Sequence, residues 1–145
     1  MADLALVEAA RSFDRVRFQR QGRTRHGLDC VGLLILSAQA VGVDLSSFDD
    51  QTYGIELPAG KLENALDRAL LPLEPSSLYP GAVVLLNVPG VGKTHVGIVG
   101  ERDGQLSLIH ATELRGCVIE HRLDSHMRAR VAKAYALPPL LTGSR

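Results

Sequence analysis

Cys30, preceded by Asp29, and two distant histidines, His95 and His110, are the residues of this chain whose types could do covalent chemistry together. The thiolate is the reactive form of cysteine, and a free thiol has a pKa of about 8.5. Asp29 is a good helix N-cap, and Gly42 stands where the segment DCVGLLILSAQAVG would stop as a helix. Cys30 then falls in the first helical turn, where unpaired N–H groups and the helix dipole favour a thiolate and can hold an oxyanion. That position alone fits a buried structural cysteine equally well. Cys117, in a strand pattern with no positioned base, reads as structural.

A nucleophile needs a base, and the base needs a group that orients it. The runs HVGIVGE and QLSLIHA flank Arg102–Asp103–Gly104, and an Asp-Gly pair between such runs signals a tight hairpin. With Asp103 and Gly104 as the turn, Arg102 pairs with Gln105 and Glu101 with Leu106. Continuing the count, Gly97 faces His110 and His95 faces Thr112. Paired residues share a sheet face, and so do residues two apart on one strand. His95 and His110 become diagonal neighbours, about 7–8 Å apart, with Gly97 leaving room between them. A slip of one residue would send them to opposite faces, so the prediction depends on the turn. In this arrangement His95 takes the Cys30 proton and His110 holds the His95 ring in one tautomer. A metal centre is the weaker reading, because His95, His110, His121 and His126 include no helical i, i+4 ligand pair and no carboxylate is placed with them.

The elements that must position these groups follow from periodicity and punctuation. Residues 3–16 read as a helix capped by Asp3, with Leu6, Val7, Ala10 and Phe13 on one side. Residues 17–28 read as a Gly- and Arg-rich loop, 29–42 as a helix apolar nearly all round and therefore buried, and 43–59 as loop. Leu62, Ala65, Leu66, Ala69 and Leu70 give 61–71 a short amphipathic helix, after which Pro72, Pro75 and Pro80 break the chain. From Tyr79 the pattern is of strands: AVVLLNV, HVGIVGE, QLSLIHA, CVIEHRL and RVAKAYAL. Helices first and an antiparallel sheet second make an α+β fold, with about five to six strands in one domain over 1–145 and a frayed tail over 141–145.

Composition narrows the function classes. Lys plus Arg and Asp plus Glu each number 16, so the formal charge is zero. That argues against bulk electrostatic binding to nucleic acid or to an anionic membrane. The arginines of the N-terminal third read as a solvated face. No apolar run is long enough to span a bilayer, and MADLALVEAARSFDR lacks a basic n-region and a small-residue cleavage site. The expectation is synthesis in the cytoplasm without a signal peptide, where two cysteines stay unpaired. NVPGVGKT, residues 87–94, imitates a phosphate-binding loop. Asn87, however, stands where that motif needs glycine, and HVGIVGERDG after the lysine forms no helix. The segment reads as a turn between strands, and no cofactor is expected.

Taken together, the pieces resemble the NlpC family of cell-wall peptidases, which have a compact papain-like fold. The resemblance covers about Val16 to Leu123. QGR…HGLDCVGL, residues 21–33, is similar to the nucleophile motif, and most of all to the branch found in phage tails and gene transfer agents, where Gln-Gly-Arg precedes Asp-Cys. YPGAVVLL, residues 79–86, is similar to the strand entering the sheet. THVGIV, residues 94–99, matches the catalytic-histidine strand, and LIHAT, residues 108–112, matches the third polar position. The resemblance implies that Cys30 attacks an amide next to D-glutamate or diaminopimelate in a stem peptide, that His95 protonates the leaving amine, and that a thioester is then hydrolysed. The chain departs from the family at three places: Phe18 stands where a tyrosine often contacts the site, Val31 where serine often follows the cysteine, and Ala82 where Pro-Gly-Asp is common. Phe18, Asp29 and Arg23 are the expected substrate or oxyanion contacts, and Arg23 and Arg25 could fork onto a substrate carboxylate. The expectation is that the chain carries none of the family's wall-anchoring modules and that a phage-like particle with other tail or baseplate proteins delivers the domain. A structural tail component with weak activity, or a thiol amidase or acyltransferase acting on a non-wall substrate, are the alternatives.

Overall fold

The computed structural model describes residues 2–46 and 60–139. Helix α1 (Leu4–Arg11) is capped by Asp3, whose carboxylate accepts the Leu6 N–H at 3.1 Å. Leu6, Val7, Ala10 and Phe13 are buried as their spacing predicts, but the helix ends well short of residue 16. It ends there because the next residues pair with the sheet instead: the Arg15 N–H donates to the Val118 carbonyl and the Val118 N–H to the Val16 carbonyl. The expected loop over 17–28 contains a small hairpin, β1 (Arg23–Thr24) with β2 (Gly27–Leu28). Helix α2 (Cys30–Ala40) follows directly and is buried on most sides. Of the expected loop 43–59, residues 47–59 lie outside the described residues, as do 140–145 of the tail.

Helix α3 (Lys61–Ala69) buries Leu62, Ala65 and Leu66. Strand β3 (Leu71–Leu73) was not expected from a proline-broken segment. Pro72 is tolerated because β3 is an edge strand that pairs only with β8 (Val131–Ala136), so its missing N–H costs no second ladder. The remaining strands are β4 (Val83–Val88), β5 (Gly92–Arg102), β6 (Gln105–Thr112) and β7 (Cys117–Arg122). A four-residue helix, α4 (Ser125–Arg128), precedes β8; it is too short to show periodicity and is set by the Asp124 carboxylate, which accepts the Met127 N–H at 2.8 Å. The six strands form one antiparallel sheet in the order β3-β8-β4-β5-β6-β7. NVPGVGKT is the β4–β5 turn, with no helix behind it.

Two cores hold the layers. One gathers Leu33, Leu34, Leu66, Val83, Leu85, Ile98 and Ile109 between helices and sheet; the other gathers Val84, Leu86, Val99, Leu108 and Ala134. Arg11 of α1 is pinned to the sheet by a two-pronged ion pair with Glu120, at 2.9 Å on each prong, and Glu120 also receives Ser107 at 2.6 Å. The β5–β6 hairpin turns at Asp103 (φ 54°) and Gly104 (φ 77°), both left-handed, as a tight Asp-Gly turn requires. Its ladder runs from Arg102↔Gln105 to Ile98↔Ile109, the predicted register.

Candidate active site

The manner in which Cys30 opens α2 is fixed by Asp29. The Asp29 carboxylate accepts the Gly32 N–H at 2.9 Å as helix cap, the Gln21 N–H at 2.8 Å, and the Arg23 guanidinium at 2.9 Å. Gln21 takes φ 61°, a left-handed conformation that a residue with a Cβ rarely adopts. Gln21–Gly22–Arg23 and Asp29 therefore form one clamp that binds the hairpin loop to the helix start. Arg23 is spent on this clamp, since its guanidinium also donates to the Gly22 carbonyl at 2.8 Å. Arg25 lies over the Phe13 ring at 4.1 Å and donates to the Ser12 carbonyl. The structure thus places the expected contacts Asp29 and Arg23 in the support of the helix start. Asp29 also borders the cleft that Cys30 opens into, and Arg23 turns toward Asp29.

That cleft has a volume of about 560 Å³, and His95, His110 and His121 line it together with Cys30 and Phe18. Beyond the Ile98↔Ile109 pair, the Val96 N–H points at the Cys30 sulfur, as does that of Val31. Both favour a thiolate, and so does the charge of Arg23. Burial and the Asp29 carboxylate outweigh them and push the thiol up to about 11. The pull of the helix start toward a thiolate is thus opposed by burial and by Asp29, and the Cys30 proton is left for a base to take.

The histidines form a chain. His95 Nε2 lies 2.8 Å from His110 Nδ1, and the ring planes cross at 72°. Although the ladder stops one pair earlier, Gly97 does face His110: a Cβ on Gly97 would lie 3.4 Å from the His110 Cβ and 2.7 Å from a Leu108 methyl. His110 Nε2 lies 2.8 Å from His121 Nε2, and His121 Nδ1 lies 2.9 Å from the Arg122 carbonyl. Burial holds His95 down to about 4, against some opposition from Asp29. Burial, and then the neighbouring rings, hold His110 down to about 3. Both are neutral at pH 7. A carbonyl can only accept, so His121 carries its proton on Nδ1 and offers Nε2 as acceptor. His110 then donates from Nε2, and His95 donates from Nε2 to His110 Nδ1. The lone pair of the chain is left on His95 Nδ1, the form a general base requires.

In the sequence, His121 stands out only as a possible metal ligand. The signal that would have placed it is the next hairpin, where Leu108 pairs with His121 and puts it diagonal to His110 by the same rule that joined His95 to His110. Among the described residues no group of three or more His, Cys, Asp or Glu is arranged to hold a metal ion.

No protein-family model matches the sequence, and no curated protein does. Solved structures do. An NlpC/P60 family protein from Bacillus cereus superposes with a TM-score of 0.68 at 19% identity, over 95% of this chain and 41% of its own. A protein from Staphylococcus aureus described as similar to lipoprotein, NLP/P60 family, gives 0.63 at 14%, over 92% of this chain and 40% of its own. The NlpC/p60 domain of the peptidoglycan hydrolase SagA gives 0.61 at 18%, over 92% of this chain and 97% of its own. The chain has the NlpC/P60 fold.

In this NlpC/P60 frame the departures noted in the sequence fall close to the cleft. Phe18 packs against the core and lines the cleft with a ring that carries no hydroxyl. Val31 is buried in the core and also borders the cleft, while Ala82 is wholly buried away from it. Arginines that the sequence does not mark out as cleft residues bring positive charge to it. Arg115 on the β6–β7 turn and Arg130 before β8 line it, and Arg20 lines it while paired to Glu113 at 3.1 Å. Cys117 is half-buried in β7, opposite Thr112.

Proposed function

We propose that this protein is a cysteine peptidase that hydrolyses peptidoglycan stem peptides, cutting an amide next to D-glutamate or diaminopimelate. The observation that carries the reading is the joining of a helix-opening cysteine to an aligned imidazole chain in one cleft. Cys30 gives its proton to His95 Nδ1 as sulfur attacks the carbonyl carbon, and the N–H groups of the first turn of α2 receive the oxyanion. His95 returns the proton to the leaving amine, a thioester remains on Cys30, and a water activated by His95 hydrolyses it. His110 orients the His95 ring throughout. The neighbouring NlpC/P60 structures, one described as a peptidoglycan hydrolase, support a wall substrate. Arg115 and Arg130 suit the free carboxylates of stem peptides. The resemblance of Gln21–Gly22–Arg23…Asp29–Cys30 to the phage-tail and gene-transfer-agent branch supports action from a tail particle, with tail or baseplate proteins as partners.

Purified muropeptides incubated with the protein, with new amines followed by mass spectrometry, test this. Cleavage by the native protein and none by Cys30→Ser is the expected result. No product from any wall chemotype, with Cys30-dependent release from a non-wall amide, would transfer the same cysteine chemistry to an amidase or acyltransferase.

A further inference from the structure

His121, the outermost ring of the imidazole chain, continues the geometry of the inner pair without a break. Three ring-to-ring or ring-to-carbonyl contacts of 2.8, 2.8 and 2.9 Å connect His95 to the Arg122 carbonyl through His110 and His121. Burial weighs on the inner two rings, with His110 only 6% exposed and the half-buried His95 pulled down by desolvation, whereas His121 stands half-buried at the cleft wall. A cation is costly where a ring is deeply buried.

The geometry points to His121 as a relay residue: the proton that Cys30 releases is matched by a shift along the chain, so that the positive charge rests on His121 and not on His95. This rests on the peptidase reading of Cys30 and His95. Each step balances. As the sulfur–carbon bond forms, the thiol proton moves to His95 Nδ1. The His95 Nε2 proton moves to His110 Nδ1, and the His110 Nε2 proton moves to His121 Nε2. His121, still holding its Nδ1 proton against the Arg122 carbonyl, becomes the imidazolium. When the tetrahedral intermediate collapses, the same protons move back and the His95 Nδ1 proton goes to the departing amine as the carbon–nitrogen bond breaks. Burial, which keeps His95 and His110 neutral at rest, is what makes an outer terminus useful.

The charges around His121 fit this role. The Asp124 carboxylate, just beyond β7, is held below the usual carboxylate range first by the Met127 N–H and then, against some burial, by His126 and His121. It would attract a cation on His121. Opposing it are Arg122 beside the ring in sequence, and Arg130, which donates to His126 at 3.1 Å and lines the same cleft as Arg115. From β6, the residue facing His121 is Leu108, with His110 diagonal to it.

Two variants separate relaying from mere alignment. In His121→Gln the amide oxygen can still accept from His110 Nε2, which keeps the tautomers in place, but it cannot take a proton. His121→Phe removes both functions. The relay predicts that His121→Gln lowers kcat on a muropeptide at least about tenfold with KM unchanged. It also predicts that a curved proton inventory in mixed light and heavy water becomes linear. Imidazole nitrogen NMR should show His95 and His110 with unaltered tautomers in that variant. Native kcat and a curved inventory in His121→Gln would overturn the proposal, and so would a loss of kcat accompanied by changed tautomers. Alkylation of Cys30 by iodoacetamide at pH 7.5, read on its own peptide by mass spectrometry, needs no substrate. His121→Gln should slow it by about tenfold. Equal rates overturn the relay even if no muropeptide is cleaved, and slowed alkylation without any cleavage keeps the relay and rejects the peptidase reading.

Discussion

Lowering the pH from 7.5 to 5 removes stability through His95 and His110, and its size follows from their setting. In the unfolded chain each ring takes a proton near pH 6.5. In the folded protein burial delays protonation to about 4 for His95 and about 3 for His110. Between those limits the unfolded state binds more protons, so stability is fully present above 6.5 and is lost as pH falls toward the folded values. Each pH unit below 6.5 costs about 1.36 kcal/mol per ring, so pH 5 costs about 2 kcal/mol from each. The rings touch, so their joint loss of about 4 kcal/mol is an upper figure. It is a large share of the 5–15 kcal/mol typical of a domain. Glu120, against the upward push of burial, is held low by Arg11 and Ser107, and Asp67 is held low by Tyr135 and Lys133, but these carboxylates give up stability only at lower pH, below the ordinary carboxylate range. The chain has no tryptophan, so urea unfolding is best followed by far-ultraviolet circular dichroism at a series of pH values. His110→Asn should remove about half of the loss. A stability that stays flat from pH 7.5 to 5, or a loss that is undiminished in His110→Asn, would refute the burial argument.

Other substitutions probe the supports of the site. Gly97→Ala would press a methyl against Leu108 and the His110 Cβ, forcing β5 and β6 apart; a loss of about 1–3 kcal/mol is expected, with a fall in kcat larger than the fraction unfolded explains. Glu120→Gln breaks the pairs with Arg11 and Arg102 at a carboxylate whose side chain is 4% exposed. It should cost about 3 kcal/mol in thermal unfolding and leave turnover per folded molecule intact. Arg23→Gln loosens the clamp on Asp29 and should lower both the unfolding midpoint and kcat. A raised KM at unchanged stability would instead put Arg23 on the substrate.

Much of this architecture is legible in the sequence because local rules and tertiary packing agree. The capped apolar run after Asp29 gives α2, and Asp103–Gly104 fixes the register that joins His95 to His110. Disagreements arise where tertiary contacts override local signals. Residues 12–16 carry helical spacing but leave α1 to bond with β7, and Pro72 looks like a breaker yet fits an edge strand. The thiol shows the same limit in its chemistry. Helix position argues for ionisation, but the burial that reverses it comes from the sheet packed over Cys30, which no local pattern reveals. His121 was within reach, since its register with Leu108 repeats the diagonal rule one strand further on.

The central claim is that Cys30 becomes acylated by a stem peptide with His95 as base. Mixing the protein with a muropeptide, quenching in acid within the first turnover and mapping the peptides by mass spectrometry tests it directly. The account predicts a thioester adduct on the peptide containing Cys30 in the native protein. In His95→Ala the adduct should form slower by about a hundredfold or more. Product release with no adduct on Cys30, or equal acylation in His95→Ala, would contradict it.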